Sequence, residues 1–360
     1  QQVEPSEASS SDAILSSSSY NPQNVSSENQ SQQTHSTPKD SVTHSSSQNS
    51  SSSTKEPFLD PDQKIIGYFA AWRESLPVES MAGLTHAIVT GLRLDTKKLD
   101  GSLDTTSNPN MMAHIRNMNA AKPQNTQIMV MVGGWGGSEG FTEASATESH
   151  RKNFAKNLSS FCLQEQLAGA DIDWEFPEND EFENYLLMIQ EIRKEFDKHG
   201  LLLTAALGQD HGDLFLEDTW KHLDWVHIMS YDMNWAAPDT KMADNHAPVD
   251  LAQTLLPKWE TYGIPKNKLI FGLPFYGRET QNWGTADSYA NIYQQHSPQD
   301  SDDEAGGFNY NGPQTIFNKS KYVAENSYGG VMVWEIPHDL AFTHEKSLLR
   351  QINLALGRLQ

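Results

Sequence analysis

The chain has 360 residues, a formal net charge of −21, one cysteine, and a composition that is 37% hydrophobic and 20% charged. So acidic a balance argues against a nucleic-acid partner, because phosphate binding needs clustered Lys and Arg; a neutral or cationic ligand fits better. No apolar run approaches the ~18 residues of a membrane span, so no membrane partner is expected. No basic start followed by an apolar middle marks a leader, although a chain whose leader had been removed would look the same.

Residues 1–53 include 20 serines together with many Gln, Asn and Thr. Such a segment buries too little apolar surface to offset its ordering entropy, so residues 1–56 read as a disordered tail or linker. Residues 57–360 suit one large domain.

In chain order, β-rich runs stand at "KIIGYFAAW" (64–72), "HAIVTGL" (86–92), "QIMVMVGGW" (127–135), "GADIDWEF" (169–176), "LLLTAALG" (201–208), "WVHIMSYDM" (225–233), "LIFGLPFYG" (269–277) and "GGVMVWEI" (329–336). Helical patterns lie between most of them: "NPNMMAHIRNMNAA", "HRKNFAKNLSSFCLQEQ", "DEFENYLLMIQEIRKEFDKHG", "APVDLAQTLLPKWETYG" and "PQTIFNKSKYVAEN". Eight strands with intervening helices over this length predict an α/β protein, a (β/α)8 TIM barrel. A doubly wound open sheet is disfavoured because "AAWRES", not a Gly-rich phosphate loop, follows the first strand. Cys162 falls on an apolar-periodic helix and reads as a buried structural thiol.

Barrel enzymes carry their chemistry at the C-terminal ends of the strands. Trp72, Trp135, Glu175, Gln209, Tyr231, Asp232, Arg278, Trp334 and Glu335 all fall there. The most informative run is "GADIDWEFP" (169–177). Strand side chains alternate, so Asp171, Asp173 and Glu175 share one face, successive members ~6.6 Å apart. If that face is the lumen, they form a column with Glu175 outermost, while Ile172, Trp174 and Phe176 face the helices. Stacked carboxylates in a low-dielectric interior cannot all ionise, so at least one should hold a proton and serve as a general acid. A metal site fits poorly, because a column along one strand does not converge on a point. The acidic stretch 299–307 lacks a full calcium-loop pattern and reads as a solvated loop.

"GADIDWEFP" resembles the D-G-x-D-x-D-x-E signature of glycoside hydrolase family 18, the chitinases and related enzymes. "IIGYFAAW", "LTHAIVTGL", "VMVGGW", "IMSYDM", "LPFYGR" and "GGVMVWE" are similar to further family motifs in the same order, so the likeness covers most of residues 64–340. The resemblance implies a retaining, substrate-assisted glycosidase with no metal or cofactor. Glu175 would protonate the glycosidic oxygen, and Asp173 would hold the acetamide N–H of the substrate. Asp171 would share a proton with Asp173, and Tyr231 would donate to the acetamide oxygen. Trp334 would floor the sugar at the cleavage point, Trp135 would lie on the leaving-group side, and Asp232 and Met229 would line the site. Arg278 would meet sugar hydroxyls, and Tyr68 would stand at the base of the column. Trp72, Trp235 and Trp283 are candidates for outer sugar contacts.

Two positions depart from the family pattern: Ala168 stands in place of the first Asp of the signature, and Met131 in place of the Ser before Gly-Gly. Their loss is expected to leave Asp171 short of hydrogen-bond partners, favouring its protonated form and an altered pH profile. Only about 50 residues separate "LPFYGR" from "GGVMVWE", so at most a small insertion is expected between strands 7 and 8. The leading expectation is therefore a secreted, monomeric endo-chitinase acting on chitin or N-acetylglucosamine oligosaccharides. The alternatives are an endo-β-N-acetylglucosaminidase of N-glycans and a catalytically weak chitin-binding lectin.

Overall fold

Alternating side chains along eight parallel strands sort the apolar residues into two layers. The computed structural model describes residues 62–233 and 246–359; the expected tail (1–56) and Trp235 lie outside the described residues. The strands are β1 (Lys64–Phe69), β2 (His86–Leu94), β3 (Gln127–Gly133), β4 (Gly169–Asp173), β5 (Leu202–Gly208), β6 (Trp225–Met229), β7 (Leu269–Pro274) and β8 (Gly330–Trp334). Each pairs in parallel with its neighbours in sequence, and β1 pairs with both β2 and β8, which closes the sheet. This is the predicted (β/α)8 barrel.

Ile65, Phe69, Val130, Val132, Ala170, Ile172 and Trp174 belong to the core between the strands and the outer helices. Ile66, Tyr68, Ile88, Met129, Met131, Ile270 and Met332 fill the lumen, with Ala168 packed against them. The five predicted helices form as Met111–Ala121, Glu148–Gln164, Phe182–Phe196, Leu251–Glu260 and Pro313–Glu325. Cys162 is buried as expected. Short helices at Phe141–Ala146, Tyr289–His296 and Leu348–Ala355 had no long apolar period to announce them. The last two begin at serines whose hydroxyls accept from the backbone three residues on, Ser288 from Asn291 and Ser347 from Arg350.

Between β7 and β8 lies the small insertion. Strands Tyr276–Glu279, Asn282–Ser288, Glu304–Ala305 and Phe308–Asn309 form an antiparallel sheet, with the helix Tyr289–His296 between its second and third members. The acidic stretch 299–307 is more than a solvated loop. Asp303 is half-buried and accepts from Gly312 N and Thr315 Oγ1, both at 2.7 Å, so it ties the insertion to the start of the helix Pro313–Glu325.

Six of the eight strands end sooner than their apolar runs suggested, and at two of them the difference matters for the rim. β4 stops at Asp173 and β6 at Met229, so Glu175, Tyr231 and Asp232 stand on loops just past the strands. Gly169 opens β4 against β5 so closely that a Cβ there would lie 2.0 Å from the Leu202 carbonyl oxygen. Gly169→Ala should therefore push the two strands apart and lower the unfolding free energy by about 1–3 kcal/mol in denaturant titrations.

Candidate active site

The turn after β3 holds the end of β4. Asp173 O accepts from Gly134 N (2.7 Å) and from Ser138 Oγ (3.2 Å), and Ser138 Oγ in turn accepts from Glu175 N (2.9 Å). This approach requires glycine: Gly133 has φ +103°, and a Cβ there would sit 2.1 Å from Asp173 O. The result is that Trp135 and Glu175 come to the same side of the barrel mouth.

The three acids meet three different environments. Asp171 is fully buried in the lumen, yet it is well supplied with donors. Tyr68 Oη donates to its Oδ2 (2.8 Å), Thr204 Oγ1 donates to its Oδ1 (2.5 Å), and His227 Nδ1 lies 3.4 Å from Oδ1. The expectation that Met131 and Ala168 starve Asp171 of partners is therefore corrected. Met131 is its apolar cross-strand neighbour on β3, but Thr204 flanks it from β5 and supplies the hydroxyl from the other side.

Asp173, one step higher, is the group short of partners: its Oδ1 is buried and has no hydrogen bond among the described residues. Burial, then the charges of Glu175 and Asp171, push its carboxyl well above the usual range. Among the described residues no hydrogen bond joins it to Asp171. Glu175 is only partly covered. Burial pushes its carboxyl up to about 7, a hydrogen bond from the Trp135 backbone opposes this, and the Asp232 charge adds to it. Phe176 does not face the helices: with the strand ended at Asp173, alternation has stopped, and its ring is 43% exposed at the cleft wall.

A second constellation gathers around Asp232, which sits at φ +56°, a left-handed conformation that a short polar side chain tolerates. Arg278 grips its carboxylate with two bonds (Nε to Oδ1, 2.8 Å; Nη2 to Oδ2, 2.7 Å), and Tyr276 Oη donates to Oδ2 (2.9 Å). His246 Nδ1 lies 3.2 Å from Oδ1. Burial pushes the Asp232 carboxyl up, but the bonds from Arg278 and His246 outweigh it and hold it well below the usual range. The segment carrying His246 is itself anchored, since buried Lys319 donates to Ala247 O (2.8 Å) and Asn311 Oδ1 (2.7 Å).

These groups line one cleft of about 430 Å³ at the C-terminal mouth of the barrel. Tyr68, Trp135, Asp173, Glu175, Met229, Tyr231, Asp232, Arg278 and Trp334 all border it, while Asp171 lies beneath. Tyr231 Oη is buried and among the described residues meets only the Met332 sulfur, at 3.9 Å, so its proton is free for a stronger acceptor. Trp135 is 69% exposed. Trp72, 59% exposed, stands with its ring centroid 6.3 Å from that of Trp334, whereas Trp283 does not border this cleft. Tyr276, Phe176, His211 and His338 also line it and were missed. Tyr276 was within reach, because the strand period places it on the face of Arg278. No local pattern announces His246 or His338. Among the described residues no cluster of three or more His, Cys, Asp or Glu could hold a metal ion.

A model of glycosyl hydrolases family 18 matches residues 64–339, most of the chain. The chain belongs to glycosyl hydrolase family 18. It is 35% identical over 170 residues to "Probable chitinase 2" of Drosophila melanogaster, covering 42% of this chain and 34% of that one. It is 29% identical over 260 residues to an endochitinase of Manduca sexta, covering 61% of this chain and 46% of that one. The family 18 chain thus spans less than half the length of these two relatives. The crystal structure of a family 18 chitinase from the chitin utilization locus of Flavobacterium johnsoniae superposes with a TM-score of 0.71 at 26% identity, over 82% of this chain and 94% of that one.

Because the folded Asp232 carboxyl is depressed, its stabilisation is present above the unfolded carboxylate pKa of about 4 and is lost as pH falls below it. Arg278→Met should remove much of that contribution. The difference in unfolding free energy between wild type and variant should be largest at pH 7 and shrink by pH 3 in denaturant titrations.

Proposed function

We propose that this family 18 hydrolase is an endo-acting chitinase that cleaves internal β-1,4 bonds of N-acetylglucosamine polymers with retention of configuration. One observation carries the reading: a carboxyl held protonated near neutrality, Glu175, stands directly above a buried carboxyl, Asp173, that has an unused acceptor. That pair suits a substrate whose own amide takes part in the reaction.

Glu175 gives its proton to the glycosidic oxygen while the carbonyl oxygen of the neighbouring 2-acetamido group bonds to the anomeric carbon and the glycosidic bond breaks. Asp173 accepts from the acetamide N–H and balances the positive charge of the oxazolinium ring. Tyr231 donates its free hydroxyl proton to the acetamide oxygen. Water then attacks the anomeric carbon, returns a proton to Glu175 and restores the acetamide. Trp334 floors the distorted sugar, and Trp135 carries the leaving-group side. Asp232, with Arg278 and Tyr276, presents a fixed polar wall to the hydroxyls. The small insertion after β7 favours an open groove and internal cleavage. A polymer that cannot enter cells would be met outside them, so we place the enzyme extracellularly.

The test is the product pattern from a chitin hexamer, with a high-mannose glycopeptide in parallel. Early products of several lengths from the hexamer, and none from the glycopeptide, are expected; the reverse preference would transfer the reading to an N-glycan endoglycosidase. Glu175→Gln should lower hydrolysis by about 10²–10⁴-fold while oligomer binding persists. If wild type and variant bind oligomers alike and neither hydrolyses them, the protein is a lectin.

Glu175 must be protonated to act and its carboxyl is pushed up to about 7. The turnover rate should therefore fall as pH rises through that value, with a basic limb that Glu175→Gln lacks.

A further inference from the structure

The donors around Asp171 form a chain that begins one strand layer away. Tyr68 Oη lies 2.8 Å from Asp171 Oδ2 and 2.7 Å from His227 Nδ1, and all three residues are almost wholly buried. Tyr68 has one hydroxyl proton for two neighbours. If it donates to the carboxylate, its oxygen must accept from His227, so Nδ1 carries the imidazole proton and Nε2 is bare. The opposite tautomer would turn the Nδ1 lone pair toward Tyr68 and also toward Asp171 Oδ1 at 3.4 Å, where a carboxylate repels it. Among the described residues Nε2 has no hydrogen-bond partner, which agrees with its being the nitrogen without a proton, because a buried N–H lacking an acceptor bears its full desolvation penalty.

We infer that His227 is a positioning residue for the acid column: as the neutral tautomer protonated on Nδ1, it donates to Tyr68 and so commits the Tyr68 proton to Asp171. With Thr204 on the adjacent strand, it keeps Asp171 satisfied as an acceptor although position 131 offers only a methionine and position 168 only an alanine. The titratable groups that face His227 are Tyr68 from β1, His86 from β2 and Asp171 from β4; Asp173 and Tyr231 act in turn on Tyr68, and Lys64 on His86. Burial holds both histidines below their ordinary values, His86 at about 4, so neither brings a positive charge to the lumen near neutrality. The positioning thus comes from a neutral dipole, and its consequence falls on Asp173: with Asp171 occupied from below, the acceptor of Asp173 stays open toward the cleft.

The inference has one test independent of activity and one that rests on the proposed hydrolase. In the full-length protein labelled with ¹⁵N-histidine, the His227 ring, assigned by the loss of its signals in His227→Asn, should show a protonated Nδ1 and a bare Nε2 at neutral pH. A ring protonated on Nε2, or on both nitrogens, overturns the inference whatever the enzyme does. In kinetics on chitin oligomers, His227→Leu removes the donor at similar volume. It should lower kcat roughly tenfold, the rate equivalent of one neutral hydrogen bond, with KM unchanged. The acidic limb of its pH profile should move to higher pH.

His227→Asn, whose amide reaches the Nδ1 position, should keep the wild-type rate and profile; His227→Gln, whose amide reaches toward Nε2, should behave as the leucine variant. If all three variants share the wild-type profile, or all three lose activity in parallel with their melting temperatures, the residue is structural only and the inference fails. A wild type that leaves the oligomers intact removes the function proposed above, and the ring protonation still decides the role of His227.

Discussion

Carboxyl groups brought together inside an apolar barrel cannot all be ionised, because each charge loses its water and repels its neighbour through a poor dielectric. The apolar filling of the lumen is mainly Ile, Met and Tyr, and β4 threads two acids through it and delivers a third to its mouth. The fold settles the conflict by giving each acid a different set of neighbours. Asp171 receives hydroxyl donors from β1 and β5, Asp173 receives none among the described residues, and Glu175 is left partly exposed with one backbone donor. Burial and neighbouring charges therefore raise the proton affinity of Asp173 and Glu175, and a backbone donor tempers it at Glu175.

The same logic, reversed, governs the neighbouring constellation. Asp232, like Glu175, is largely covered, yet a two-pronged Arg278 and a tyrosine hydroxyl keep it charged. A fixed anion on one side of the cleft raises the proton affinity of Glu175 on the other. The two carboxyls are pushed apart in acidity by their partners, which is how one site can hold an acid and an anion at the same pH. The geometry that delivers Arg278 comes from the small insertion after β7, and the geometry that delivers Glu175 comes from the glycine turn after β3. Neither lies on the strand that bears the acid it serves.

The tryptophans at the mouth follow from the barrel's construction. Strand ends converge on one rim, so residues far apart in the chain, such as Trp72 and Trp334, become ring neighbours. Trp135, whose large aromatic face is left open at the cleft, is a platform for ligands with apolar faces and polar edges, a description that sugars satisfy.

What the sequence by itself determined was whatever depends on short-range period and residue type. Alternation along β4 placed Asp171 and Asp173 on the lumen face and Ile172 and Trp174 on the other, and strand spacing announced the barrel. The ordered motifs carried the family. Where period ended, reading failed: Phe176 was assigned by an alternation that had already stopped at Asp173. His246 and Tyr276 gained their meaning only from their reach to Asp232. Local sequence also misjudged Asp171, since Met131 and Ala168 advertise a loss while the compensating Thr204 and His227 sit on two other strands. Side-chain direction is a local property of the backbone, but hydrogen-bond satisfaction and proton affinity are sums over everything within a few ångströms. Only closure of the barrel brings those neighbours together.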